Sequence, residues 1–101
     1  SPGALINHVR MSKEIPEELW PKLRALPEKP IEALKLAKEI TESLNVEQQI
    51  WLINWIQQNL WRKNKDAKKI KRLDKLRLHL LGYVQPRLSW EVTLLEISSK
   101  H

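Results

Sequence analysis

The sequence predicts an all-α fold, a small single-domain bundle of three long helices plus a short N-terminal helix. Three observations carry this reading. Leu, Lys, Glu, Ile and Gln dominate a chain whose only glycines are Gly3 and Gly82, so helix formers abound while β-hairpin turn chemistry is scarce. Apolar residues recur at three- and four-residue spacing through several segments, the period of a helix with a buried side. Helix-opening signals, a proline or a capping side chain, stand before those segments. At 101 residues the chain suits one domain, large enough to bury about 65% of its unfolded surface.

Residues 1–14 read as an N-terminal arm. The run SPGALINHVR precedes Met11, whose MSKEIPEELW has the character of a natural start. Residues 1–10 are therefore expected to be cloning-derived or outside the functional domain, with a native arm as the alternative. Residues 15–97 form the expected helical domain, and 98–101 a frayed end.

The segment IPEELWPKLRALPEKP is punctuated by Pro16, Pro21, Pro27 and Pro30, too broken for one long helix. Pro16 can begin a short helix, which Pro21 limits or restarts by restricting Trp20. Leu19, Trp20, Leu23 and Leu26 give it an apolar side, so it is expected to lie as a lid across one end of the bundle. Glu17 and Glu18 sit at the helix start, where the dipole favours negative charge.

Pro30 opens the next helix. Its buried set is Ala33, Leu36, Ala37, Ile40 and Leu44, with Lys35, Lys38, Glu39 and Glu42 facing water. The two alanines allow a close neighbour, expected to be the following Trp-rich helix after a tight turn at Leu44 and Asn45.

Asn45 can cap that following helix, with Gln48 in the partner position of a capping box. At 100° per residue Val46, Ile50, Ile53, Ile56, Leu60 and Trp61 share one broad face, whereas Trp51, Trp55 and Leu52 project from the other side. A helix apolar on two sides belongs at the centre of a bundle. Trp51 and Trp55, at i and i+4, have two readings: burial between helices, or an aromatic surface for a partner.

The basic segment 62–77 holds nine cations against Asp66 and Asp74, a charge of +7 in a chain of +6, so the remainder sums to about −1. As a helix from Ala67 to Val84 it would bury Ile70, Leu73, Leu76, Leu80, Leu81 and Val84, and turn Lys68, Lys71, Arg72, Lys75 and His79 outward. Such a ridge spaces cations about 5 Å apart, turn by turn, suited to successive phosphates. A solvated face usually mixes signs, and this one is nearly single-sign.

Gln85, before Pro86, belongs to a loop. Ser89 then reads as the N-cap of a final helix carrying Trp90, Leu94 and Ile97, although the alternation of Trp90, Val92 and Leu94 would also suit a strand.

No catalytic, metal or cofactor signature is present. Without Cys there are no disulfides, thiolate zinc sites or thiol nucleophiles, which fits a reducing cytosol. His8, His79 and His101 stand without metal-ligand spacing, and no Ser-His-acid arrangement can be read. No apolar run is long enough to cross a membrane. The expected protein is a cytoplasmic, non-catalytic nucleic-acid-binding module, a candidate subunit of a larger nucleoprotein assembly. Arg62, Lys63, Lys65, Lys68, Lys71, Arg72 and Lys75 would contact phosphates of single-stranded DNA, RNA or duplex. The alternative is a protein-interaction adaptor that binds an acidic partner through the ridge and through Trp51 and Trp55. A basic amphipathic helix lying on an anionic membrane ranks third, because its Leu face is needed for the core.

Overall fold

The computed structural model describes residues 13–63, 65–82 and 85–98, and every regular element among them is helical. A 3-10 turn, Glu17–Leu19, runs directly into α1 (Trp20–Arg24); α2 (Pro30–Ser43), α3 (Val46–Lys63), α4 (Ala67–Leu81) and α5 (Pro86–Ser98) follow. Four long helices thus stand where three were expected, because the final helix, expected only from Ser89, begins at Pro86 and reaches 13 residues. The expectations for residues 1–12, Val84 and 99–101 lie outside the described residues.

The proline logic holds at the start of the chain. Pro16 precedes the 3-10 turn, and Pro21 falls in the first turn of α1, where its missing N–H has no intrahelical partner to lose. Leu19 and Leu23 are buried, and so is Ile15 just ahead of them. Pro30 opens α2 in the same way, and Ala33, Leu36, Ala37, Ile40 and Leu44 are all buried, as their spacing requires.

The neighbour of α2 differs from expectation. The backbone that approaches α2 closely is α5, and α3 does not run alongside it as a hairpin. Leu44 is extended (φ −122°, ψ 142°), so the link carries the chain away instead of folding it back. The alanine face is left for α5, whose Trp90, Leu94 and Ile97 are buried. The other extensive contacts between long helices are α3 on α4 and α4 on α5.

The capping box of α3 forms in both directions. The Gln48 amide donates to Asn45 Oδ1 (2.8 Å) and the Asn45 amide to Gln48 Oε1 (2.9 Å). Leu52, Ile53, Ile56 and Leu60 are buried, while Trp51 and Trp55 are half-buried under Trp20, so the helix is covered on two sides. Trp20 meets Trp55 edge-on at 4.9 Å and Trp51 at 6.3 Å between ring centroids. This fixes α1 across α3. Trp61 departs from the predicted face: it is 51% exposed. It lies about 80° round the helix from Ile53, at the margin of the stripe, and so close to the end of the helix at Lys63 no helix among the described residues covers that margin.

In α4, Leu73, Leu76 and Leu80 are buried, but Leu81 is 57% exposed and the helix stops there, short of Val84. Leu81 lies roughly 100° from Leu80 and so faces away from the core. The start of α5 also differs. Pro86 occupies its first turn, the Ser89 amide donates to the Gln85 carbonyl (3.0 Å), and Ser89 is a buried residue inside the helix instead of its N-cap.

Candidate nucleic-acid interface

The basic surface is organised by the junction between α3 and α4. Arg62 and Lys63 close the last turn of α3, Lys65 follows, and Asp66 caps α4 by accepting from the Lys69 amide (3.2 Å). Lys65 has φ 50°, the left-handed conformation, and its amide reaches back to the carbonyls of Leu60 (3.1 Å) and Trp61 (3.2 Å). That single left-handed residue ends α3 and redirects the chain, so the cations on both sides of the junction meet at one corner.

Because Leu73, Leu76 and Leu80 turn inward, Lys68, Lys71, Lys75 and His79 are exposed on the opposite side of α4. Among the described residues, Arg62, Lys65, Lys68, Lys71 and Lys75 engage no carboxylate. Lys63 is committed elsewhere: its Nζ donates to the Arg24 carbonyl (2.7 Å), pinning the end of α1. Arg72, expected on the ridge, is instead paired with Glu96 of α5, its side chain only 21% exposed. The α4–α5 contact lies on that flank of α4 and brings a carboxylate to meet the guanidinium.

Both acidic residues of the segment are engaged in structure. Asp66 is the cap of α4 and also faces the Lys69 ammonium at 4.0 Å. Asp74 accepts from Arg77 (2.9 Å) and from the Gln57 side chain (2.9 Å) on the flank facing α3, where Arg77 also reaches Asn54 and Gln57. Of the nine cations in the segment, Lys63, Lys69, Arg72 and Arg77 are thus engaged as well, which leaves Arg62, Lys65, Lys68, Lys71 and Lys75 without a carboxylate among the described residues.

A groove opens beside this ridge. Gln57, Gln58, Trp61 and Arg62 of α3 face Ala67, Ile70 and Lys71 of α4 around a volume of about 580 Å³. Its size falls within the roughly 300–1,000 Å³ of small-molecule sites. The floor is apolar, the rim is basic or amide, and none of these lining residues is acidic. Periodicity alone put Trp61 in the core and missed this feature; the usable signal was its place at the edge of the stripe, immediately before Arg62 and Lys63. Trp51 and Trp55, the predicted partner-binding pair, lie elsewhere, against Trp20.

Among the described residues no group of three or more His, Asp or Glu side chains could hold a metal ion, and no helix is long and apolar enough to cross a membrane. No curated protein and no solved structure matches the chain. A family model does: cyanobacterial DNA polymerase III delta prime, C-terminal domain, matched over residues 1–97. With nearly its whole length matched, the chain belongs to the family of the cyanobacterial DNA polymerase III delta prime C-terminal domain.

Proposed function

We propose that this domain is a non-catalytic module of a DNA polymerase III assembly and that its α3–α4 corner faces nucleic acid. The observation that supports the reading is the set of cations left without carboxylate partners among the described residues, Arg62, Lys65, Lys68, Lys71 and Lys75, in a segment outside which the chain carries no net positive charge. Mixed-sign surfaces need no partner, whereas an unneutralised stripe gains free energy by displacing the counterions of a polyanion. The family name, that of a DNA polymerase component, makes DNA the natural polyanion. With such a partner the domain is cytoplasmic. Residues 15–97 act as the folding unit, preceded by an arm over 1–14.

The test is fluorescence anisotropy with labelled single-stranded DNA, duplex DNA and RNA at low and near-physiological salt. Binding should weaken steeply with salt, with a logarithmic slope of about −0.7 to −0.9 for each phosphate neutralised. Failure of all three to bind at low salt would overturn the reading.

A protein partner is the second reading, and α5 favours it. Leu88 (53% exposed), Val92 (39%) and Leu95 (36%) fall at i, i+4 and i+7 on one stripe, although the opposite face of the same helix is already in the core. A helix apolar nearly all round is normally covered all round. The partner would be another protein of the same assembly. Trp51 and Trp55, half-buried, offer it only their outer edges, and an acidic protein remains the alternative occupant of the ridge. Lysine at Leu88 and Leu95 should then abolish assembly with the other polymerase components while leaving DNA affinity intact.

A further inference from the structure

We propose that the groove at Trp61 holds one unpaired base of single-stranded DNA, stacked on the indole face. This rests on the nucleic-acid reading above and narrows it to a strand form and a site.

Trp61 differs from the other four tryptophans. Trp90 is fully buried, and Trp20, Trp51 and Trp55 pack on one another at the edge of the core, whereas Trp61 exposes half its surface beside an apolar floor of Ala67 and Ile70. A large aromatic side chain exposed at a concave site forgoes the free energy of burying its face, and a flat ligand of comparable size recovers it.

The rim decides which ligand. Arg62 and Lys71 border the indole on the two helices, and Lys68 stands one turn before Lys71 on the exposed side of α4. None of the three is held by a carboxylate among the described residues. A base on Trp61 would therefore have cations placed for the phosphates on either side of it. An apolar protein side chain would fill the floor equally well but leave those cations unmatched. Gln58, exposed at the same rim, has donor and acceptor atoms for a base edge, while Gln57 is already occupied by Ile70, Asp74 and Arg77.

The strand form follows from geometry. In a duplex both faces of each base are stacked on neighbours, so a single indole on the surface of a folded domain cannot reach one. An unpaired base offers its face freely, and aromatic stacking of that kind is tolerant of sequence.

The experiment compares oligothymidine with a duplex of equal charge, using the intact chain, its Trp61→Ala and Trp61→Phe variants and a Lys68→Gln/Lys71→Gln/Lys75→Gln variant. Affinity is read by anisotropy, stacking by quenching of tryptophan fluorescence, and folding by far-ultraviolet circular dichroism. Trp61→Ala should weaken oligothymidine binding roughly tenfold, leave duplex binding and the salt slope unchanged, and abolish the quenching. Trp61→Phe should restore most of the affinity, and the lysine variant should bind both ligands more weakly, with a flatter salt slope. If Trp61→Ala binds oligothymidine as the parent does while the lysine variant does not, the stacking site is overturned and the phosphate reading stands. If the parent binds neither ligand at low salt, both fall. Quenching by an acidic peptide but not by oligothymidine would overturn the proposal in favour of a protein occupant.

Discussion

Gln49 sits 3% exposed within the apolar interior, and both ends of its amide are used. Its nitrogen donates to the Leu44 carbonyl (2.8 Å), and its oxygen accepts from the indole N–H of Trp90 (2.9 Å), a residue forty-one positions away. The pair ties the start of α3 to the middle of α5. Gln49→Leu would preserve size but orphan the Trp90 N–H in a buried site, so a loss of about 1–3 kcal/mol is expected in urea denaturation. Trp90→Phe should cost less in the Gln49→Leu background than in the parent, since there it also removes the orphaned donor; equal costs in the two backgrounds would refute the account. Helical spacing placed Trp90 in the core, but the need of its N–H for an acceptor could not be matched to Gln49 by period alone. That pairing exists only because α3 and α5 share a core.

The starts of α2 and α3 were legible because their signals, Pro30 and the Asn45–Gln48 pair, are local. Asn45 and Gln48 satisfy each other's amides within one turn, so Asn45→Ala should cost about 1 kcal/mol, seen as a fall in Tm of roughly 4–8 °C. The first turn of α5 was misread for the opposite reason: Ser89 is an excellent cap in isolation, but Pro86 starts the helix three residues earlier and carries Ser89 into the interior. The α4–α5 contact yields a more functional prediction. Glu96 neutralises Arg72, so Glu96→Gln should free that guanidinium to join the ridge. Affinity for DNA should rise, with the logarithmic salt slope steepening by up to about 0.9; unchanged binding would mean that Arg72 lies out of reach of the ligand. By contrast, the Lys22–Glu39 pair between α1 and α2, 2.8 Å apart but well exposed, should contribute little.

At the scale of the molecule, two surfaces stand out, although exposed apolar residues also occur elsewhere, at Ile31 on α2 and at Leu78 and Leu81 on the basic helix α4. The corner of α3 and α4 collects the free cations, while the outer stripe of α5 collects exposed leucines and a valine. Lys68→Gln/Lys71→Gln/Lys75→Gln should leave the helical circular dichroism and Tm essentially unchanged, because all three residues are exposed and unpaired, and should flatten the logarithmic salt slope by about 2 to 3. A substantial drop in Tm would show that these lysines hold the fold together.

The order of helices, their openings at Pro30 and Asn45, the inward set of α2, the Leu73, Leu76 and Leu80 stripe of α4 and the local excess of positive charge were determined by the sequence, because each depends on residues within a few turns of one another. Which helices touch was decided only by the tertiary structure. That choice set α5 against the alanine face of α2, drew Arg72 from the ridge to Glu96, brought Gln57 of α3 to Asp74 and left Trp61 uncovered beside Arg62 and Lys71. Helical period gives the direction of a side chain from its own axis, but burial depends on whether a second helix lies in that direction. No periodicity within one helix contains that information.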